Sequence, residues 1–469
     1  MLPSCVLSFV TLAFAGSVSA AVPAPWSASE RGSASVLAAD TDSRVDVPRR
    51  AWDGRTRAIH EWGTFTSVQG SNGVALDGLA HHDRDLPPFV HDLAKRGGIV
   101  ALNLKMETPV LYFHAPGTWR LDLDVRFPRG LVTQWWPTAC AVNEPCPRER
   151  AAVDALCARS SALKDGFVTW GRKNDLVVLP RDAEAELAPL GADDPFGFAR
   201  DVDANPLRVA KLVEEEGRPV RHELEHERFL FYRGLGDFAL PLAVRVRTEE
   251  HRVDERAGAT AGYGLRLELA PGSDPLRALF VIDVEGERAG FAFLGDVAAS
   301  RDADVELALR PRATTTAELE ARVAAELART GLFDDEARAM ARTWAHGWFG
   351  DEGLRVLYVL PDAVVARELP LTVAHAVLQR EGTNDWIDAA PESIVRTFVA
   401  RTEVLTPSRE RALKETFERR TRGEGRAEDD VASWGRFAVP WLARVAALED
   451  DPALRAAALA LRAELERPR

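Results

Sequence analysis

Two-residue alternation of apolar and polar side chains constrains the fold of this chain more than any other feature. In "RLDLDVRF" (residues 120–127) every second residue is apolar, and the residues between them are charged. The same alternation recurs in "LPLAVRVR", "LRLEL" and "VELAL". Strands with one apolar face and one solvated face are typical of antiparallel sheets that pack on each other. We therefore predict an antiparallel β-sandwich domain over residues 51–312.

Helical spacing replaces this alternation after Pro311. Thr315 and Glu318 form a capping-box pattern near the start of "TTTAELEARVAAELARTG", a segment that ends at Gly331. A second apolar stripe at helical spacing consists of Ala337, Met340, Trp344 and Trp348. The segment "LRVLYVLP" is apolar on both faces, which predicts a buried strand. We predict a helix-rich α+β domain over residues 313–469, so that the whole chain is α+β with two domains.

The first fifty residues contain an export pattern and a polar linker. An apolar run from Cys5 to Ala15 leads into small residues that permit cleavage after Ala20, which indicates a secretory signal peptide over residues 1–20. Residues 21–50 are polar and lack periodicity, and we predict a disordered linker there. No later segment is apolar enough to cross a bilayer. The mature protein is therefore expected to be soluble, without a transmembrane segment, and secreted or periplasmic.

Cysteine usage agrees with an exported chain. Export to an oxidising compartment favours disulfide formation. Removal of the signal peptide leaves Cys140, Cys146 and Cys157. Cys140 and Cys146 flank the turn-like spacer "AVNEP" and are the predicted disulfide pair, whereas Cys157 is predicted to be a buried thiol.

The charge balance limits the class of partner. The chain has 59 Lys and Arg residues against 72 Asp and Glu residues, a formal net charge of −13. Because a phosphate backbone binds to a basic surface, a nucleic-acid partner is not expected.

The pentapeptide "HELEH" (residues 222–226) matches the H-E-x-x-H pattern of zinc metalloproteases. Its histidines can share a metal ion only on one face of a helix, one turn apart. Gly217 and Pro219 precede the pentapeptide and the strand-like "FLFY" follows it, so a long helix is not expected. In a strand the two histidines are about 13 Å apart, and on a short helix they point away from its apolar stripe. We interpret HELEH as a chance match in a solvated, charged segment.

Histidines concentrate between residues 60 and 114, where five of the ten are found. The candidate ligands for zinc or a similar divalent ion are His60, His82, His91 and His114. Glu61 or Glu107 is the candidate general base. Lys105 lies on the same side of an apolar strand as Glu107, and we expect it to pair with Glu107 or with the histidine cluster. The alternative, that these residues are surface polar groups and hydrogen-bonded core histidines, stays open because spacing alone fixes no geometry.

A second group of candidate residues is aromatic and polar. Trp62 and Trp136, together with Arg233 and Asp237, are candidates for binding a glycan or a protein partner, because exposed tryptophan beside hydrogen-bonding groups stacks on sugars or peptides. Trp135 and Trp136 point to opposite faces of a strand, so at most one of them belongs to the core. Core packing is the alternative role for these tryptophans.

Several strings in the chain resemble an uncharacterised family of exported bacterial proteins. The resemblance rests on "HEWGTFTSVQG", "LPPFVH", "KMETPVLYF", "FLFYRGLGDF", "DEARAMARTW", "EGLRVLYVLP" and "RTEVLTP". It extends from about His60 to Pro407, and it implies export. It implies no activity.

Two hypotheses of function follow from the sequence. The first is an exported, cell-envelope binding or scaffold protein that docks a glycan or a protein partner through its β-sandwich. The alternative is a metal-dependent hydrolase that uses the histidine and carboxylate cluster of residues 60–114.

Overall fold

The computed structural model describes residues 35–37, 50–79, 86–93, 104–143, 165–171, 174–192, 194–215, 218–247, 261–297, 303–311, 315–380, 382–424 and 431–465. The predicted signal peptide and most of the predicted linker lie outside these residues. Ser35–Leu37, within the linker segment, forms a short strand rather than irregular chain.

The described residues form both strands and helices. The strands are β1 (Ser35–Leu37), β2 (Ala58–Gln69), β3 (Ala75–Leu76), β4 (His91–Asp92), β5 (Leu104–His114), β6 (Trp119–Phe127), β7 (Gly130–Trp136), β8 (Ala141–Val142), β9 (Gly166–Trp170), β10 (Leu176–Val178), β11 (Leu207–Glu215), β12 (Arg218–Glu227), β13 (Leu230–Gly236), β14 (Leu242–Val246), β15 (Ala261–Leu269), β16 (Leu276–Glu285), β17 (Arg288–Val297), β18 (Ala303–Pro311), β19 (Gly353–Val359), β20 (Leu371–Gln379), β21 (Trp386–Asp388) and β22 (Ser393–Val404). The helices are α1 (Phe196–Arg200), α2 (Thr316–Ala328), α3 (Asp334–Ala345), α4 (Asp362–Glu368), α5 (Pro407–Thr421), α6 (Ala438–Leu448) and α7 (Pro452–Leu465). A π-helical turn (His346–Gly350) follows α3, and a 3-10 turn (Val431–Phe437) precedes α6. The chain is therefore α+β, as predicted.

The predicted alternation corresponds to real strands. The "RLDLDVRF" segment is β6, in which Leu121, Leu123 and Phe127 are buried and Arg126 is exposed. Asp124 departs from the pattern, because it is buried and accepts a hydrogen bond from a threonine hydroxyl of β9. "LRVLYVLP" forms β19, which is buried on both faces as expected.

The strands of the described residues form two sheets. The larger sheet has the order β14-β15-β18-β17-β16-β19-β22-β2-β5-β13-β7-β4, with β1 beside β18 and β3 beside β2. The smaller sheet has the order β12-β11-β10-β6-β20-β21, with β9 beside β6 and β8 beside β9. The larger sheet is mixed rather than purely antiparallel, since β2 runs parallel to β22 and β1 runs parallel to β18.

The predicted boundary at residue 312 does not divide the sheets. β19 and β22 come from the C-terminal part of the chain, yet they lie between β16 and β2 in the middle of the larger sheet. In the same way β20 pairs with β6 in the smaller sheet. Both parts of the chain therefore contribute to both sheets.

Three hydrophobic clusters flank the central strand β2. The first contains side chains of both sheets, among them Phe65 of β2 and Trp119 of β6. The second lies on the opposite face of the larger sheet, where Trp62 packs with residues of α2 and α3 such as Met340. The third joins the end of β2 to α5, α6 and α7. Because side chains alternate along a strand, every second residue of β2 faces the helices α2 and α3.

The helix α2 begins with the predicted capping box. Thr315 Oγ1 accepts a hydrogen bond from Glu318 N at 3.2 Å, and Glu318 Oε2 accepts one from Thr315 N at 2.7 Å. α3 buries Ala337, Met340 and Trp344 on one face, as its apolar stripe predicted. Among the residues that the structure describes, no helix combines the length and the apolar character that a membrane span requires.

Removal of this N-cap is expected to destabilise the folded protein. We expect Thr315→Ala to lower the free energy of unfolding by about 0.5–2 kcal/mol, because it removes the acceptor for a backbone N–H at the first turn. Urea titration followed by circular dichroism measures the change. Thr316→Ala is the matched control, since Thr316 lies one position inside α2 and makes no capping contact in the box. Equal effects of the two substitutions would contradict the prediction.

Candidate functional site

Polar side chains collect on the face of the larger sheet that meets the helices. Thr64 of β2 is paired with Glu107 of β5, and Thr66 is paired with Lys105. On its other side Thr66 is paired with Arg401 of β22. Directly paired residues in a sheet point to the same face. These five side chains therefore lie together, although their strands are far apart in sequence.

A cavity of about 260 Å³ lies over this polar patch. Its basic lining residues are Lys105, Arg233, Arg401 and Arg436, and its acidic ones are Glu107, Asp194 and Asp351. Its aromatic wall consists of Phe196, Phe229 and Trp344. We call this cavity the arginine pocket. Lys105, Glu107, Arg233 and Arg401 are all at least nine-tenths buried, so their charged groups have little access to bulk water.

The buried carboxylate of Glu403 holds two arginines of the pocket, Arg401 and Arg436. Glu403 contacts Arg401 at 2.6 Å, Arg436 at 2.9 Å and Arg355 at 3.3 Å. Burial alone would raise the pKa of Glu403, but the arginines outweigh it and hold this pKa well below its usual range. Burial lowers the pKa of Arg355 to about 10, so Arg355 stays charged at neutral pH.

The remaining charges of the pocket also have defined contacts. Lys105 Nζ lies 3.3 Å from Glu107 Oε1, which confirms one of the two pairings expected from the sequence. Asp351 lies 3.0 Å from Arg436 and 3.5 Å from Arg401. Asp194 accepts a hydrogen bond from a backbone N–H at the start of α1. The guanidinium groups of Arg401 and Arg436 are therefore each held by two carboxylates, those of Glu403 and Asp351.

A second polar group lies farther along the same face of β2. His60 Nδ1 lies 2.6 Å from Glu336 Oε2, and His114 Nε2 lies 2.9 Å from Glu336 Oε1. Glu336 Oε2 also accepts a hydrogen bond from the backbone N–H of Phe333 at 2.8 Å. We call His60, His114 and Glu336 the histidine–glutamate triad. Burial would raise the pKa of Glu336, but His60 and His114 lower it to about 2, so the carboxylate is charged at neutral pH.

Aromatic rings cover the triad. The Phe333 ring centroid lies 4.4 Å from that of His60 and 4.8 Å from that of His114. The Trp52 ring lies 6.0 Å from His114. An open cavity of about 360 Å³ is lined by Trp52 and Phe333 together with Arg50, Arg181 and other charged residues. The triad is thus separated from this outer cavity by one layer of rings.

The structure brings together only two of the four histidines predicted as metal ligands. His60 and His114 meet, whereas His91 stacks on Trp135 and lies 3.1 Å from the Thr138 hydroxyl. His82 lies outside the described residues. The carboxylate beside the two histidines is Glu336, which the sequence analysis did not select.

The two predicted catalytic carboxylates lie apart from each other. Glu107 lines the arginine pocket. Glu61 follows His60 in β2 and therefore points to the opposite face of the sheet. There it accepts a hydrogen bond from the Tyr232 hydroxyl and pairs with Arg396. Glu61 is consequently not placed to act beside the triad.

The predicted binding residues have separate positions. Trp62 is fully buried, and Trp136 is 6% exposed, so neither offers an aromatic surface to a partner. Trp136 is the core member of the Trp135-Trp136 pair. Asp237 is exposed, whereas Arg233 lines the arginine pocket.

The structure leaves the predicted disulfide open and agrees with the interpretation of HELEH. Cys140 is described, but Cys146 and Cys157 lie outside the described residues. Residues 222–226 belong to β12, and His226 is paired with Arg208 of β11. At about 3.3 Å per residue, the two histidines of a strand are about 13 Å apart and do not share a metal ion.

Comparisons with known proteins assign no family. No family model matches the sequence, and no curated protein matches it. A solved structure of the yeast delta-COP-I mu-homology domain aligns with 75% of this chain and 98% of its own, at 7% sequence identity and a TM-score of 0.28. That similarity is too low to support a conclusion. The site must be interpreted from its own geometry.

The sequence analysis missed Glu336, Arg401, Arg436 and Asp351. One signal was available for Glu336: it precedes Met340 by four residues and so falls on the apolar stripe of α3, where an acidic residue needs a buried partner. Arg401 and Glu403 similarly alternate along one face of β22, in line with the apolar Val395 and Val399. No comparable local signal identifies Arg436 or Asp351.

Proposed function

We propose that this protein is an exported binding protein whose arginine pocket takes a small ligand with a carboxylate or phosphate group. In this proposal the two sheets form the predicted β-sandwich, and α1, α3 and the π-helical turn close the pocket above the larger sheet. The export expected from residues 1–20 belongs to the same proposal.

The fixed orientation of Arg401 is the observation on which the proposal rests. Its Nε donates a hydrogen bond to buried Glu403, so the orientation of the guanidinium plane is fixed before any ligand binds. A planar guanidinium with two adjacent donors matches the geometry of a carboxylate or a phosphate. Gly347 lines the pocket so close to Arg401 that a β-carbon there would lie 2.8 Å from Nη1. Pre-organised donors of this kind favour a bound anion because little side-chain entropy is lost.

The aromatic wall indicates that the ligand also has an apolar or ring-shaped part. Trp344 is 8% exposed, and Phe196 and Phe229 lie beside it. Ligand pockets of this type combine an apolar wall with a few polar groups that orient the ligand. An acidic sugar meets both requirements, since its apolar face packs on an aromatic ring while its carboxylate contacts arginine.

The metal-dependent hydrolase of the alternative hypothesis has less support from the geometry. A catalytic zinc ion needs an open coordination position that substrate reaches. His60 is 2% exposed, His114 is 1% exposed, and Glu336 is fully buried. Glu61, a proposed base, faces the other side of β2.

We expect Arg401→Lys to weaken anion binding about tenfold or more, because lysine keeps the charge but loses the planar pair of donors. Isothermal titration calorimetry with glucuronate, citrate and inorganic phosphate as probes measures the dissociation constant of each anion. We also expect the binding of these anions to decrease at high ionic strength. Gly347→Ala, which displaces Arg401 without altering any charge, should weaken binding in the same direction.

Arg245→Lys is the matched control. Arg245 lies on β14, pairs with Glu268 and is exposed, so this substitution should leave binding unchanged. Thermal unfolding of each variant verifies that it is folded. Absence of binding to all three probes, or equal loss in the Arg245 and Arg401 variants, would refute the proposal.

A further inference from the structure

The histidine–glutamate triad combines the donor atoms that zinc prefers. His60 Nδ1, His114 Nε2 and a Glu336 oxygen all lie within 4.8 Å of one another. Two imidazole nitrogens and one carboxylate are a frequent ligand set for Zn²⁺ and similar divalent transition-metal ions. Each donor comes from a regular element: β2, β5 and the first turn of α3.

The backbone holds the two imidazoles side by side. In the register of β2 and β5, Ala58 is paired with His114 and His60 is paired with Tyr112. His60 and His114 are therefore diagonal neighbours on one face of the sheet, within reach of a common partner. Glu336 approaches them from α3, and its carboxylate is held by the hydrogen bond that it accepts from the backbone N–H of Phe333.

The separations of the donor atoms are close to those of a metal site. Metal–ligand bonds of about 2.0–2.1 Å at tetrahedral angles place ligand atoms about 3.3 Å apart. The two contacts to Glu336 are 2.6 and 2.9 Å. On coordination these two contacts would lengthen by about half an ångström, and the two imidazole nitrogens, which lie within 4.8 Å of each other, would move toward the shared ion.

The charge of the triad favours a cation. Glu336 is fully buried, and its ion-pair partners among the described residues are the two imidazoles alone. A buried carboxylate is costly unless a positive charge lies beside it. Either an imidazolium or a metal ion supplies that charge. A divalent ion supplies it while both imidazoles remain neutral.

From these observations we propose that His60, His114 and Glu336 form a structural site for Zn²⁺ or a similar divalent transition-metal ion. The ion joins α3 to β2 and β5, and a water molecule that enters from the outer cavity past Phe333 completes its coordination. This site is independent of the arginine pocket, so either proposal can fail without the other.

Cobalt titration tests the site directly. Protein made without a histidine tag is stripped with a chelator and titrated with Co²⁺, whose visible absorption reports tetrahedral nitrogen and oxygen ligands. We expect one Co²⁺ per chain, displaced by Zn²⁺, and a melting temperature that rises with Zn²⁺ concentration. Glu336→Gln and His114→Ala should each weaken metal binding at least tenfold.

His91→Ala is the matched control, because His91 lies at the edge strand β4 and stacks on Trp135. It should retain one Co²⁺ per chain. If a triad variant does not fold, titration of the wild-type protein still decides the matter. Folded wild-type protein that shows no cobalt absorption and no rise in melting temperature would overturn the proposal, as would equal loss of binding in the His91 variant. In that case the triad is a hydrogen-bonded core element only.

Discussion

Replacing Glu403 by alanine is expected to lower the free energy of unfolding by about 3–5 kcal/mol, because it leaves buried arginine charge without its carboxylate. Arg355 is fully buried, and Arg401 is 6% exposed. Glu403 is the carboxylate nearest to both of them, at 3.3 Å from Arg355 and 2.6 Å from Arg401, and water does not replace the lost contact at this depth. Guanidinium chloride titration of the wild-type protein and of the variant measures the difference.

Acid titration gives a second measure of the same interaction. The pKa of Glu403 is lowered from the ordinary value of 4.5, so its contribution to stability is fully present above about pH 4.5. This contribution is lost as the pH falls below 4.5 toward the pKa of the folded state. The difference in stability between wild-type protein and Glu403→Ala should therefore shrink progressively in acid. Acidic groups that lie far from Glu403 titrate alike in both proteins and cancel in the comparison.

The matched control is Glu268→Ala. Glu268 pairs with Arg245 at 2.8 Å, but both side chains are accessible to solvent. Pairs of this kind contribute about 0–1 kcal/mol. Similar losses for Glu403→Ala and Glu268→Ala would show that Glu403 does not have the structural role inferred from its contacts.

Trp62→Ala is the second substitution with a large expected effect, a loss of about 3–5 kcal/mol in the free energy of unfolding. Trp62 is fully buried, and its ring lies 5.6 Å from that of Trp344 and 5.9 Å from that of Tyr112. Its removal leaves a cavity between the sheet and α3. Because Trp344 also lines the arginine pocket, we expect the shape of the pocket to change as well.

Trp386→Ala is the comparison for Trp62→Ala. Trp386 lies on the short edge strand β21, is partly exposed, and has the Arg120 guanidinium 4.6 Å from its ring centroid. Removal of this ring should lower the free energy of unfolding by about 0.5–1 kcal/mol. If Trp62→Ala were as well tolerated as Trp386→Ala, the burial of Trp62 beneath α3 would be in doubt, and its role as an exposed binding residue would regain support.

Local sequence patterns predicted several of the individual elements. The alternation in "RLDLDVRF" corresponds to β6, and the capping box at Thr315 begins α2. Both patterns depend only on residues close in sequence, since strand and helix periodicities are properties of the backbone itself. For the same reason the α+β class could be predicted.

The arrangement of the elements could not be predicted in the same way. β2 pairs with β22, which lies 335 residues later in the chain, and no local period encodes that choice. Residues 60–114 contain only the two histidines of the triad, because its carboxylate comes from α3. Trp62 illustrates a further limit: periodicity places it on one face of a strand, but only the tertiary fold shows that a helix covers that face.

The insertion of β19 and β22 between β16 and β2 affects the order in which the larger sheet can form. Strands that pair across several hundred residues raise the contact order, and high contact order slows folding. During synthesis or translocation, β2 and β16 emerge long before the two strands that separate them. Until the last quarter of the chain arrives, both present unpaired edges that invite aggregation. The larger sheet can therefore close only after most of the chain has been made, which exposes the incomplete protein to edge-to-edge association for longer than a sheet of sequential hairpins.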